Sequence, residues 1–162
     1  MTPTLSNRIQ FILALAGCVV AAALTLEGYR YVSLPCGPTD DCATVAAHPT
    51  AHGFGISALS GIPTAAFGLL FYLGMSAIAF GRAAASEQKS RGLRRFQWLG
   101  AIAGVAVSAY LTYLEKYVIH AWCKWCLASA GIAVLMFITS SAEHFSGSGK
   151  GMKSPIAQGE TV

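Results

Sequence analysis

Four apolar runs limit what this chain can fold into. Ile9 to Leu26 carries no charge; Ile62 to Phe80 and Phe96 to Leu114 follow. Cys126 to Ser140 makes a fourth, which reaches spanning length if it starts near Trp122. About 20 apolar residues cross the hydrocarbon core of a bilayer. A helix that is apolar all round can also be the buried centre of a large soluble protein. A chain of 162 residues has no room for four such helices and a polar coat. Only 11% of its residues are charged, against roughly 25% in a soluble domain. The pattern predicts an all-α membrane protein, a four-transmembrane-helix bundle with helices over about 9–26, 62–80, 96–117 and 122–140. Arg8 and the small residues Ala21-Ala22-Ala23 also fit a signal peptide, but the apolar stretch is long for one, so a retained anchor is expected.

Basic residues set the expected orientation. Arg8 precedes the first run; Arg82, Lys89, Arg91, Arg94 and Arg95 lie between the second and third; Lys150 and Lys153 follow the fourth. The other side has only Arg30, Lys116 and Lys124, beside Glu27, Asp40, Asp41 and Glu115. Positive residues stay cytoplasmic, so both termini are expected there, and the loop 27–61 and the CKWC segment on the exported side. The basic connector reads as a topogenic flank. A four-helix domain over 1–142 is followed by a Gly/Ser-rich stretch, 143–162, expected to be a flexible cytoplasmic tail. The net charge of +4 does not imply nucleic acid, because the basic residues flank apolar runs instead of forming a stripe. The partner this composition implies is the lipid bilayer.

Four of the five cysteines fall on the exported side, where disulfides persist. Cys18, inside the first run, reads as a small buried hydrophobe. Cys123 and Cys126 form a CxxC at the head of the fourth helix. There the unpaired backbone N–H groups and the dipole favour a thiolate. A structural disulfide or half a zinc site fits the same pair. Cys36 and Cys42, in "PCGPTDDCATV", close a short polar loop. Alone they read as a structural disulfide; with the CxxC they fit either a four-cysteine zinc site or a thiol–disulfide relay. Setting Gly17 against Gly104 puts Leu24-Thr25 on Leu111-Thr112 and Cys36 on Cys123 without a gap. That echo would place both cysteine sites at one membrane depth. "AHGFGISALSG", bent at Gly53 and Gly55, is apolar enough for a short interfacial helix, a half-helix lid over a pocket on the exported side.

These motifs together resemble the vitamin K epoxide reductase family, over nearly all of the first 140 residues. The resemblance rests on "SAYLTYLEKYVIHAW" before the CxxC, on "GIPTAAFGLLFY" leading into the second helix, and on the motif order, loop pair first and CxxC at helix four. It implies a bundle around a quinone: menaquinone, ubiquinone or a vitamin K-like naphthoquinone. It also implies a soluble thioredoxin-fold thiol protein on the exported side. Electrons would pass from that partner to the Cys36–Cys42 disulfide, then to Cys123–Cys126 and the quinone. Cys123 would exchange with the loop pair, and Cys126 would face the quinone ring. Phe67, Thr64, Leu111 and Tyr110 are further candidates for the quinone pocket. The chain shows no trailing thioredoxin-like domain, so the partner is expected to be separate; the setting is expected to be a bacterial inner membrane with the site facing the periplasm. His48 stands where the family commonly has a serine, and Ala130 where animal members have a tyrosine. The latter favours a respiratory quinone over vitamin K epoxide. The alternatives are a vitamin K or epoxide reductase proper, and a non-catalytic membrane protein with structural disulfides or zinc. Trp122 and Trp125 read as interfacial anchors; His120 is a candidate for proton transfer but reads more simply as a bystander, and His48 and His52 fit no standard zinc spacing.

Overall fold

The structure, a computed structural model, describes residues 3–36 and 41–148. Gly37, Pro38 and Asp40 of the cysteine loop, and the tail from 149 with Lys150 and Lys153, lie outside the described residues. Five α-helices follow in order: α1 Pro3–Gly28, α2 Asp41–Ala47, α3 Thr64–Ala84, α4 Glu87–Leu114 and α5 Lys124–Ser148. All but the short α2 are long and apolar enough to cross a membrane. They close a ring in which α1 packs on α3 and α5, and α4 on both of the same helices. Among the described residues there is no strand. Outward-facing Ile12, Val19, Leu70, Phe80, Phe96 and Ile138 are exposed, as hydrocarbon contact requires. The fold is a multi-pass membrane bundle.

Close approach depends on small residues, as expected where lipid supplies no hydrophobic drive between helices. A Cβ at Gly17 of α1 would collide with the Tyr72 ring, and one at Gly104 of α4 with the Phe71 ring. The two glycines paired by the sequence echo thus receive neighbouring aromatics of α3.

The helices outrun the apolar stretches at the predicted cytoplasmic end. The basic connector is mostly helix: only Ala85 and Ser86 separate α3 from α4, whose first turns carry Lys89, Arg91, Arg94 and Arg95. Arg82 is no flank. It is buried and ion-paired with Glu143, and it donates to the Gln97 side chain. Glu143 also accepts from Ser6 at 3.1 Å, while Gln10 of α1 donates to Met136 O at 2.6 Å and to Thr139 Oγ1 at 2.7 Å. Asn7 donates to Ala79 O at 2.8 Å. All four spanning helices meet in this polar clasp. It explains why α5 runs to Ser148 instead of stopping near 140, and why Glu143 belongs to the bundle and not to a tail.

The loop between α1 and α3 differs from expectation in one respect. Its α-helical turn is α2, which contains Cys42, whereas the segment after Ala47 forms three short 3-10 turns, Pro49–Ala51, Gly53–Gly55 and Ser57–Leu59. Gly53 and Gly55 do supply bends, both at positive φ, and Phe54 between them is also left-handed at φ 57°. A Cβ at Gly53 would strike the Leu59 backbone, so the fold needs glycine there.

Candidate active site

Above an apolar layer of Ala14, Met75, Ala101 and Met136, the bundle opens into a cavity of about 290 Å³. Each helix contributes one face. On α3 the spacing Thr64, Phe67, Gly68, Phe71 and Tyr72 is a single helical stripe. On α4 the stripe is Gly104, Ser108, Leu111 and, one turn on, Glu115. Cys126, Ser129, Ala130 and Ala133 of α5 complete the wall.

The lid covers the end of the bundle that carries the cysteines. Phe54 packs on Phe67 with ring centroids 5.5 Å apart. Thr64 Oγ1 accepts the Phe54 N–H at 3.2 Å and donates to Thr50 O at 3.0 Å. Thr64 therefore lines the cavity, but its proton is committed to holding the lid. Phe67 and Leu111 line the cavity as well. Tyr110 does not: it is 52% exposed and absent from the cavity wall. Leu111 is one residue on, and a step of one residue turns a helix by about 100°. Tyr110 belongs instead to an outer face with Tyr113 and Tyr117, whose rings lie 4.8 Å apart at the position of an interfacial belt.

The four cysteines converge. Cys36 and Cys42 are joined as a disulfide with Cα atoms 5.8 Å apart. They share one buried cluster with Val45, Ala121 and Cys123, against which Trp125 and Cys126 pack. Cys42, Cys123 and Cys126 also border the cavity. Cys123 and Cys126 are free thiols, and the Cys126 N–H points at the Cys123 sulfur at 3.3 Å. The Cys126 thiol donating to it holds the Cys123 thiol below its ordinary range, with the Cys126 and Trp125 N–H groups assisting against burial and the charge of Glu115. The charge of this pair thus rests on Cys123, the cysteine nearest the loop disulfide. Cys18 lies in α1 and packs against the apolar core.

Two cavity residues were not singled out by the sequence reading. Tyr72 is buried and donates to Ser129 O at 2.8 Å, tying α3 to α5. Nothing in the sequence separates it from other core aromatics. Glu115 is only 3% exposed and accepts the Cys123 N–H at 3.3 Å. Its signal was the register Gly104, Ser108, Leu111, Glu115, which continues the cavity face into a carboxylate. His48 caps the first 3-10 turn through Nδ1, 3.3 Å from Thr50 N, and His52 Nε2 lies 3.2 Å from Ala46 O. Both serve the lid. His120 is exposed and ends the π-turn Glu115–Ile119 in a left-handed conformation. Among the described residues no three of His, Cys, Asp and Glu converge as a ligand set.

The family model for the vitamin K epoxide reductase family matches residues 8–141. The chain belongs to that family. A search of curated proteins finds no match. Vitamin K epoxide reductase family members are membrane oxidoreductases that generally pass electrons between thioredoxin-like thiol partners and a quinone. The residues present suit a quinone. The cavity is lined mainly by apolar and aromatic side chains, its volume lies near the lower end of the roughly 300–1,000 Å³ of ligand pockets, and a free thiol, Cys126, borders it. A ring system fits such a space.

Proposed function

We propose that this protein oxidises a thioredoxin-fold thiol protein on the exported face and delivers the two electrons to a membrane quinone. The observation that carries the reading is the convergence of the loop disulfide and the CxxC in one buried cluster, with Cys126 on an apolar cavity.

The partner's dithiol reduces Cys36–Cys42 and leaves as a disulfide. A loop thiolate then attacks the Cys123 sulfur of an oxidised CxxC, and Cys126 departs as the thiol leaving group. The second loop cysteine resolves the mixed disulfide. This regenerates Cys36–Cys42 and leaves Cys123 and Cys126 reduced, the redox arrangement described above. The quinone, when bound, accepts two electrons and two protons. Phe67, Phe71, Tyr72 and Leu111 would hold its ring, and the Phe54 lid would exclude water. Ala130 adds room where a tyrosine would fill the wall, which favours a respiratory quinone over an epoxide. The basic first turns of α4 favour a cytoplasmic position for that end, with the cysteines in a bacterial periplasm.

The test separates the two pairs. Cys126→Ala removes quinone reduction with every donor, dithiothreitol included. Cys36→Ala with Cys42→Ala stops oxidation of a thioredoxin-fold partner while dithiothreitol, small enough to reach the CxxC, still drives quinone reduction. Equal loss of both activities in a folded double variant overturns the relay. Extraction of the protein purified with native lipid identifies the isoprenoid quinone.

A further inference from the structure

Glu115 is the carboxylate that stands at the CxxC. Its side chain accepts the Cys123 N–H at 3.3 Å and borders the same cavity as Cys126. The backbone fixes it there from both sides. Its own N–H bonds to Leu111 O and Thr112 O at the end of α4, and its carbonyl accepts the N–H groups of His120 and Ala121. It is buried at 3% exposure and lines the cavity. No cation offsets it, since the only ion pair among the described residues is Arg82–Glu143 at the opposite end of the bundle. The nearby ammonium of Lys116 lies instead over the Tyr117 ring, 5.2 Å from its centroid. The other acidic side chain on the cavity, Glu27, accepts from the Leu34 backbone. An unpaired buried carboxylate is costly, and a purely structural cap at the start of α5 needs only an accepting oxygen.

We propose that Glu115 is the proton carrier of the CxxC, taking the proton of the Cys126 thiol as that sulfur becomes a nucleophile and releasing it toward the reduced acceptor. The inference rests on the proposed function, in which Cys126 is the sulfur facing the quinone. It answers a question that site leaves open: the charge of the reduced pair sits on Cys123, so Cys126 must be deprotonated before it can react. The balance closes. One S–S bond forms between Cys123 and Cys126, two electrons leave to the quinone, and the hydroquinone gains two protons. One is the Cys126 proton held on Glu115; the other comes from water at the exported mouth, because Cys123 enters as a thiolate.

Glu115→Gln tests this, because the amide oxygen still accepts the Cys123 N–H and keeps the α5 start in place. Full-length protein in lipid vesicles is reduced with dithiothreitol and freed of it. Three quantities are then read: the pH profile of maleimide alkylation at Cys126, with Cys18 as internal reference; single-turnover oxidation by a short-chain naphthoquinone; and the infrared difference between reduced and oxidised protein. Removing a negative charge beside the sulfurs does not hinder their reaction with an alkylating reagent, so alkylation in Glu115→Gln is as fast as in wild type or faster. Oxidation by the quinone nonetheless falls by roughly 100-fold or more, the loss of a general acid–base group. Glu115→Asp recovers part of it. The wild-type infrared difference contains a shifted carboxylate band that Glu115→Gln lacks, because oxidation removes the Cys126 proton beside Glu115. Wild-type oxidation rates in Glu115→Gln, a parallel fall of alkylation and oxidation, or no shifted carboxylate band in the wild type each overturn the proposal. If wild type transfers no electrons to the quinone, the functional reading fails by itself, and the alkylation and infrared results still decide whether Glu115 shares a proton with Cys126.

Discussion

A methyl group at Gly104 should weaken quinone binding without touching a cysteine. The Cβ of Gly104→Ala would stand 2.7 Å from Phe71 Cζ and 3.1 Å from Cε1. Carbon atoms rest about 3.5–4.0 Å apart, so the ring tip must retreat by roughly 1 Å. Tyr72 blocks one side, edge-on with centroids 5.3 Å apart. The free space is the cavity that Phe71 already borders. Overpacking of this kind costs about 1–3 kcal/mol, and replacing a helical glycine returns up to about 1 kcal/mol. The intrusion takes roughly the 30 Å³ share of one water molecule, about a tenth of the 290 Å³ available. If about 1–2 kcal/mol of the strain appears only with the ring site occupied, half-saturation rises roughly 5- to 30-fold. The assay is dithiothreitol-driven reduction of a short-chain naphthoquinone over a concentration series, beside the rate at which dithiothreitol reduces the Cys36–Cys42 disulfide. The second rate should stay within about 2-fold, since thiol exchange needs access to sulfur and not to the ring pocket. Gly74→Ala and Gly131→Ala, where an added Cβ meets nothing within 4 Å, serve as controls. Wild-type half-saturation in Gly104→Ala, or the same rise in the controls, refutes the reasoning.

Three further outcomes are expected. Glu143→Gln leaves the buried Arg82 guanidinium without its counter-charge and should cost about 3–5 kcal/mol, whereas Arg82→Met with Glu143→Met should regain most of it; thermal unfolding in detergent reads both, and an unchanged midpoint in Glu143→Gln argues against the clasp. Cys123 is held below the ordinary thiol value of about 8.5 by the Cys126 thiol, so its thiolate survives as pH falls through that value. Exchange started from reduced CxxC and oxidised loop, the reverse of the relay step, has the Cys123 thiolate as attacker; its alkylation-trapped rate should therefore hold there, and a decline with an ordinary thiol's midpoint removes the basis for Cys123 as the exchanging sulfur. An impermeant thiol reagent added to intact cells after mild reduction should label the cysteines of 27–61 and of the CKWC segment but not Cys18; labelling confined to inverted vesicles reverses the orientation.

The bundle was legible because its signal is compositional. Four apolar runs in so short a chain leave no other arrangement, and the cysteine order carried the family resemblance. Element ends were not legible, because helix continues wherever polar side chains find partners. Arg82 reads as flank, Glu143 as tail and Gln97 as one more residue of the third apolar run, yet with Ser6 they bury one another. That pairing joins residues far apart in sequence, and no local pattern encodes it. In the pocket, facing was the missing piece. Tyr110 and Leu111 are adjacent in one apolar run, and only the rotation of α4 puts one against lipid and the other against the cavity. Glu115 was visible as a charge but not as a neighbour of the CxxC, because the π-turn and the left-handed His120 that fold the chain back lie between them.

The two ends of the bundle divide stability and chemistry between them. In lipid, apolar faces gain nothing from meeting one another beyond packing, so association relies on small residues and polar contacts. The polar clasp gathers those contacts at the end away from the cysteines. It links α1, α3, α4 and α5 through Ser6, Arg82, Gln97 and Glu143. At the other end the walls are spread by Phe67, Phe71 and Tyr72 around space that a close-packed bundle would fill. Cavities weaken a core in proportion to their volume, so an open pocket needs the helices fixed elsewhere. A break in the clasp should therefore loosen the pocket before the Cys36–Cys42 link, which is covalent and does not depend on the packing of the helices.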